Sequence, residues 1–104
     1  MVTSADSDVL RVLADPLRSR IVALLAEEAL CVCHLVEETG AKQTNLSNHL
    51  KALREVGLVE TEPCGRFVYY KLLPAAIEAL ADRMARIAES GRKTAESGRR
   101  RPCP

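Results

Sequence analysis

The sequence has no tryptophan, one phenylalanine and two tyrosines in 104 residues. Large rings cannot organise its core, so Leu, Val, Ile and Ala must fill it, a composition that favours helices. No apolar run approaches the roughly 18 residues of a membrane span, and no positive-then-apolar stretch opens the chain. The expectation is a cytosolic protein with no membrane partner. A large excess of charge is also lacking, with a formal net charge of +1. At this length one core can be buried, but two lobes enclosing a catalytic cleft cannot be built. Cysteines are few. The four, at positions 31, 33, 64 and 103, are not spaced like a disulfide framework, and in a reducing compartment they are metal-binding, redox-active or simply buried.

The near-neutral total hides a gradient. Residues 1–41 carry a balance of −4, residues 42–71 a balance of +2 and residues 91–104 a balance of +4. Positive potential is thus concentrated in the middle and at the end, where it can attract phosphate.

Hydrophobic spacing divides the chain. Asp6 or Ser7 can cap a short helix with Val9, Leu10 and Leu13 on one face, ended before Pro16. Asp15 followed by Pro16 is a strong start signal for a second helix, with Leu17, Ile21, Leu24 and Leu25 in phase. A third helix is expected over about 31–39, stopped by Gly40. A fourth starts at Gln43 or Thr44, turns Leu46, Leu50 and Leu53 inward and stops at Gly57. Leu58–Glu62 and Arg66–Leu72 read as strands of a hairpin joined by Pro63, Cys64 and Gly65. Residues 75–89 give a last helix with Ile77, Leu80, Met84 and Ile87 at helical spacing. Beyond it, "AESGR" occurs twice and the chain ends in Arg-rich sequence, so 91–104 is expected to be a flexible basic tail after a domain spanning 1–90.

The fourth helix is amphipathic in an informative way. Its outward face carries Asn45, Asn48, His49 and Lys51, with Ser47 on the flank, rather than long Glu/Lys pairs. Two short helices joined by a tight turn, the second bearing such a face and followed by a basic-flanked hairpin, follow the order of a winged helix-turn-helix. The fold class expected is therefore mostly α with a small β-hairpin. Asn and Gln can bond adenine bidentately, Ser and Thr reach bases or phosphates, and Lys42, Lys51 and Arg66 can pair with the backbone. The alternative is that Gln43, Asn45 and Asn48 only decorate a solvated face.

"LADPLRSRIVALL" (13–25), "ALCVCHLVEETG" (29–40), "TNLSNHLKALREVGLV" (44–59) and "GRFVYYKL" (65–72) resemble successive blocks of the ArsR/SmtB family of bacterial metal- and metalloid-sensing repressors, in order over roughly residues 8–90. The resemblance implies a homodimeric winged helix that binds an operator palindrome and leaves it when an inducer binds. It places Gln43, Thr44, Asn45, Ser47, Asn48 and His49 on the recognition helix and Arg66 on the wing, and Val9, Leu13, Ile77, Leu80 and Met84 in the dimer interface. His49 could instead be a structural hydrogen bonder, and the apolar five could equally be monomer core.

The thiols of Cys31 and Cys33 are a soft ligand pair for As(III), Sb(III), Cd(II), Pb(II), Zn(II) or Cu(I). If both lay on an α-helix they would point about 200° apart, so binding is expected to unwind the first turn of the third helix. Three-coordinate As(III) or Sb(III) wants a third thiolate. The third cysteine of some family members is Val36 here, and the Asp usual after the second is His34. Cys103, on a tail that can travel, is the expected third ligand, ahead of Cys64. His34 could complete a site for Zn(II) or Cd(II), or be an ordinary surface histidine. The family's other zinc site is not available, because the last helix offers Glu78, Asp82 and Glu89 but no His. As(III) or Sb(III) is the inducer expected, with Cd(II), Pb(II) or Zn(II) next. Three rivals remain: a thiol redox sensor, a DNA-binding domain that senses nothing, and a small thiol reductase, which C-x-C spacing with no preceding strand supports poorly.

Overall fold

The structure, a computed structural model, describes residues 4–103. Five helices and three short strands follow in the order α1 (Ser4–Leu13), α2 (Pro16–Glu27), β1 (Leu30–Cys31), α3 (Val32–Thr39), α4 (Gln43–Glu55), β2 (Val59–Cys64), β3 (Phe67–Leu72) and α5 (Pro74–Ser97). The helical body with a small antiparallel sheet is the expected winged helix-turn-helix arrangement. Among the described residues no helix is long and apolar enough to cross a membrane.

Local signals account for most boundaries. Asp15 takes an extended conformation and its carboxylate accepts the backbone N–H of Arg18 at 3.0 Å, while Pro16 supplies a first helical position that needs no N–H. α1 begins at Ser4, ahead of Asp6 and Ser7, so neither is its cap. Gly40 closes α3 in the left-handed region, its N–H donating to the Val36 carbonyl at 2.8 Å. Thr39 stitches the same turn, donating its hydroxyl to the Leu35 carbonyl and accepting the Ala41 N–H. Residues 40–42 then lead directly into α4, giving the tight turn of a helix-turn-helix.

α4 ends in a double bond pattern that needs glycine. Gly57, at φ 78, donates to the Arg54 carbonyl, and Leu58 donates to the Leu53 carbonyl. Leu53 and Leu58 are both fully buried, so the paired bonds come with the apolar contact that usually accompanies this helix stop. Leu46, Leu50 and Leu53 anchor α4 to a core that also contains Val9, Ile21, Leu25, Leu35, Val59 and Leu80. No polar side chain is buried with them among the described residues.

The sheet departs from expectation in having a third strand. β1 adds to the hairpin on the β3 side, giving the order β1-β3-β2, with Leu30 opposite Tyr70 and Cys31 opposite Tyr69. Two residues are too few for a period-2 signal, so the strand was invisible in the sequence. The wing turn is also tighter. Cys64 pairs with Phe67, leaving Gly65 and Arg66 as a two-residue loop in which only Gly65 has positive φ, the arrangement in which glycine leads. Pro63 therefore sits inside β2, tolerated because β2 is an edge strand.

Helical structure runs on into the stretch expected to be a flexible tail. α5 continues to Ser97 and stops at Gly98, whose N–H donates to the Thr94 carbonyl at 2.9 Å. Extending a helix already nucleated over its packed first half costs little. Glu89 pairs with Arg92, and the Thr94 hydroxyl donates to the Ser90 carbonyl. The repeated "AESGR" recurs after seven residues, about two turns, so equivalent positions of the two copies, such as Ala88 and Ala95, fall on one side of this arm. The molecule is accordingly long, 63 × 23 × 22 Å.

Candidate thiol site and nucleic-acid interface

Cys31 is not in the helix. It is the last residue of β1 and the N-cap of α3, with extended dihedrals φ −89 and ψ 170, whereas Cys33 lies in the first turn. The divergence of about 200° expected of two helical thiols therefore does not arise. From the cap position the two side chains converge, with Cα atoms 5.5 Å apart and the sulfurs paired with each other as a disulfide. No unwinding of α3 is needed to bring both thiols to one point.

His34 is the third member of the cluster. The candidate ligand atoms of Cys31, Cys33 and His34 all lie within 4.8 Å of one another, the one such group among the described residues. Its Nδ1 is 3.1 Å from the Cys31 backbone nitrogen and accepts that N–H, and is 3.2 Å from the Cys31 sulfur. Accepting the N–H puts the proton of a neutral ring on Nε2. The single Nδ1 lone pair is thus already used to cap α3, and an ion could take it only by orphaning a helix-end donor. On its other side the ring packs against Tyr69, centroids 6.0 Å apart at 52°. His34 is therefore a buttress between the helix start and the wing strand rather than a loose surface residue.

Within the chain no third thiol joins the pair. Cys103 is exposed beyond the far end of α5, a helix whose 24 residues span about 36 Å. Cys64 is exposed at the end of β2, beside Glu62 and Tyr69. Neither joins the Cys31–Cys33 cluster within the chain.

A cleft of about 300 Å³ opens next to the thiols. Val32, Phe67, Val68 and Tyr70 form its apolar walls, and Gln43 and Arg66 stand at its polar side. It thus touches the first residue of α4 and the wing turn, a neighbour relation that sequence separation conceals.

The recognition-helix assignments fall as a solvent-facing strip. Lys42, Gln43, Thr44, Asn45, Ser47, Asn48 and Lys51 are all exposed, as is Arg66 at the wing turn. His49 differs. It is half-buried and its Nδ1 accepts from Arg18 Nε at 3.0 Å, so it ties α4 to α2. Arg18 had no sequence signal beyond being a polar residue in the first turn of α2. The same helix start holds Asp15, whose carboxyl lies below its ordinary range chiefly because it accepts the Arg18 backbone N–H, with the positive sides of His49 and Arg18 adding to the effect against partial desolvation.

Of the five apolar residues assigned to a dimer interface, Val9 and Leu80 are buried in the monomer core, and Leu13 and Ile77 pack against it. Met84 is 39% exposed, and on the same helix Ile87 is 53% exposed.

The sequence model described as "Bacterial regulatory protein, arsR family" matches residues 15–61. A crystal structure of a possible transcriptional regulator for arsenical resistance is 35% identical, with a TM-score of 0.71 over 86% of this chain and 95% of that one. The chain belongs to the ArsR family of bacterial regulatory proteins. The arsenic resistance transcriptional regulator ArsR1 of Pseudomonas putida is 42% identical over 67 residues, 64% of this chain and 52% of that protein. The cadmium resistance regulator CadC of Listeria innocua is 36% identical over 69 residues, 65% of this chain and 58% of that protein. The matched region thus spans little more than half the length of these relatives. ArsR-family proteins are regulators, so the thiol-reductase alternative falls away.

Proposed function

We propose that this ArsR-family chain is a thiol-gated transcriptional repressor. It works in the cytoplasm as a homodimer, joined through α1 and the exposed apolar face of α5. It holds a palindromic operator with Lys42, Gln43, Thr44, Asn45, Ser47, Asn48, Lys51 and Arg66, and leaves it when As(III) or Sb(III) is captured by Cys31 and Cys33. The observation that carries the reading is the meeting of those two sulfurs at the junction of β1 and α3. One side of that junction is paired to the wing strand and the other starts the first helix of the helix-turn-helix. A metal or metalloid bonded to both thiolates would tie the end of β1 to the first turn of α3, so capture acts on that junction without unwinding α3. By linkage, inducer and DNA weaken each other's binding by the same factor.

The third position on an inorganic As(III) or Sb(III) must be filled from outside the cluster, by Cys103 of a second copy or by an exogenous group. Cd(II), Pb(II) or Zn(II) would draw on the same thiols, with His34 released from its cap. The pairing of the two sulfurs also supports a second reading, in which a peroxide or disulfide oxidant drives the dithiol to the disulfide and alters DNA binding.

The test begins with an operator duplex selected from a random-sequence pool. Release is then measured with As(III), Sb(III), Cd(II), Pb(II), Zn(II) and hydrogen peroxide for the native chain and for Cys31→Ser, Cys33→Ser, Cys64→Ser and Cys103→Ser. Release by As(III) or Sb(III) that is lost in the first two variants is expected. Release by peroxide alone moves the protein to the redox reading, and no release by any agent refutes inducer sensing.

A further inference from the structure

We infer that the far end of α5 is a second DNA-contacting element, with Arg99, Arg100 and Arg101 gripping backbone phosphates of the duplex outside the operator. The inference rests on the reading of the chain as an operator-binding dimer and adds a surface separate from α4 and the wing. It starts from an imbalance. Residues 91–104 carry five cations against Glu96 alone, and of the five Arg92 is already paired with Glu89. Arg99, Arg100 and Arg101 are exposed and have no acidic partner among the described residues.

The second observation is that these three side chains are gathered. In an extended stretch successive side chains point to opposite sides, yet Arg99, Arg100 and Arg101 all line one open concavity, together with Thr94 from the last turn of α5. Gly98 turns the chain at this point, at φ 64 in the left-handed region. Glu96 does not neutralise the group: it makes no ion pair among the described residues and stands about 200° around the helix from Thr94. The helix C-terminus supplies about half a negative charge, against three positive ones. Guanidinium groups held together with so little opposing charge repel one another, and a polyanion relieves the repulsion. Arginine also suits phosphate in particular, because its planar fork meets two oxygens at once.

Placement selects the polyanion. α5 packs against α1, whereas the strip assigned to the operator lies on α4 and the wing turn. The arm gives the molecule its 63 Å long axis, nearly twice the roughly 35 Å between adjacent half-sites, so cations at its end meet phosphates that α4 does not cover. Once α4 is seated on the operator the arm is tethered to the same duplex, and its contact forms at the high effective concentration of an intramolecular event. Such a grip lengthens the footprint and raises affinity without reading sequence.

The test uses the full-length chain in reducing buffer, the triple variant Arg99→Gln, Arg100→Gln, Arg101→Gln and the charge-preserving triple Arg99→Lys, Arg100→Lys, Arg101→Lys. Anisotropy titrations over a range of KCl compare two duplexes. One is the selected operator trimmed to the sequence that the Gln variant protects from cleavage; the other carries about two further helical turns of unrelated sequence on each side. With three arginines in each of two chains, about six more phosphates are neutralised, and the native slope of log K against log salt should be steeper on the extended duplex by about 5. The Lys variant should keep most of that difference and the Gln variant should lose it, while all three share one slope on the trimmed duplex. Exchanging the flank sequence should change native affinity less than twofold. A native slope difference below about 1, equivalent to a single phosphate for the whole dimer, overturns the inference, as does an equal loss by the Gln variant on both duplexes. A Gln variant that sediments differently from the native chain, with no flank effect, would assign the arginines to the contact between copies. Arginine-dependent binding to phosphatidylglycerol vesicles, again with no flank effect, would assign them to a membrane surface; either result also overturns it. The operator reading fails separately, if no operator emerges from the random pool although unrelated duplex is bound by the native chain and not by the Gln variant.

Discussion

Arg66 is the residue on which the wing can be tested quantitatively, because it stands both at the wing turn and at the mouth of the thiol cleft. If it lies on a phosphate, replacing it must change how DNA binding responds to salt. Lys42, Lys51 and Arg66 are the exposed cations assigned to the backbone, which gives about six phosphate contacts in the proposed symmetric dimer and a slope of log K against log salt of about −5.4. Raising KCl from 50 to 200 mM then weakens the complex about 2,000-fold. Arg66→Ala removes two contacts, reduces the slope to about −3.6, and leaves a loss of about 150-fold over the same range. Fluorescence anisotropy of a labelled operator duplex at four or five salt concentrations measures both lines. The weakening should be uniform across operator variants, because a phosphate contact positions without specifying. Asn48→Ala makes the control: it should alter base preference and leave the slope where it was. An unchanged slope in Arg66→Ala would refute the phosphate assignment and leave the cleft as the residue's only role.

Three further outcomes follow from the geometry. His34→Ala removes the acceptor of the Cys31 N–H and should lower stability by about 1 kcal/mol, measured by urea unfolding, while As(III) is still bound at the two thiols; a hundredfold loss of As(III) affinity would instead make His34 a ligand. Gly57→Ala forces a side chain into φ 78 at a cost of about 1–2 kcal/mol, so Tm should fall by roughly 5 °C or more, and an unchanged Tm would mean that the helix stop does not require glycine. Asp15 is held below the usual carboxylate range. A depressed folded value contributes stability that is present above the unfolded value of about 3.9 and lost as pH falls through the folded one. Asp15→Asn keeps a capping oxygen without the titration, so thermal melts between pH 5 and 2 should show a shallower acid decline than the native chain. Identical declines would contradict the assignment.

Long amphipathic elements were legible because their signals are redundant. α2 announces itself through Asp15, Pro16 and a repeating apolar face, and α4 through Leu46, Leu50, Leu53 and Gly57, so any one cue could fail without losing the helix. The elements that escaped carry their information elsewhere. β1 exists because Leu30 and Cys31 can pair with Tyr70 and Tyr69, a tertiary fact with no local period. The second half of α5 was lost because Gly91 and the serines read as a linker, whereas a helix already running needs only average propensity and a final Gly98 to continue.

The thiol site shows how much can hang on one residue of boundary. Helix ends are uncertain by a residue or two from sequence, and placing Cys31 inside α3 makes the thiols diverge while placing it at the cap makes them meet. The donor types were readable, but their convergence was not. The change also relocates the coupling. Had binding required unwinding, the signal would travel along α3 alone. With Cys31 paired to Tyr69 across β1 and β3, and His34 packed on the same tyrosine, a shift of the strand end bears on the wing as directly as on the helix-turn-helix. Shortening Tyr69 to Ala removes the ring on which His34 rests but leaves every thiol in place, so it should preserve As(III) binding and reduce the operator release that binding produces. If release stayed complete at full occupancy, the signal would pass through α3 without the wing.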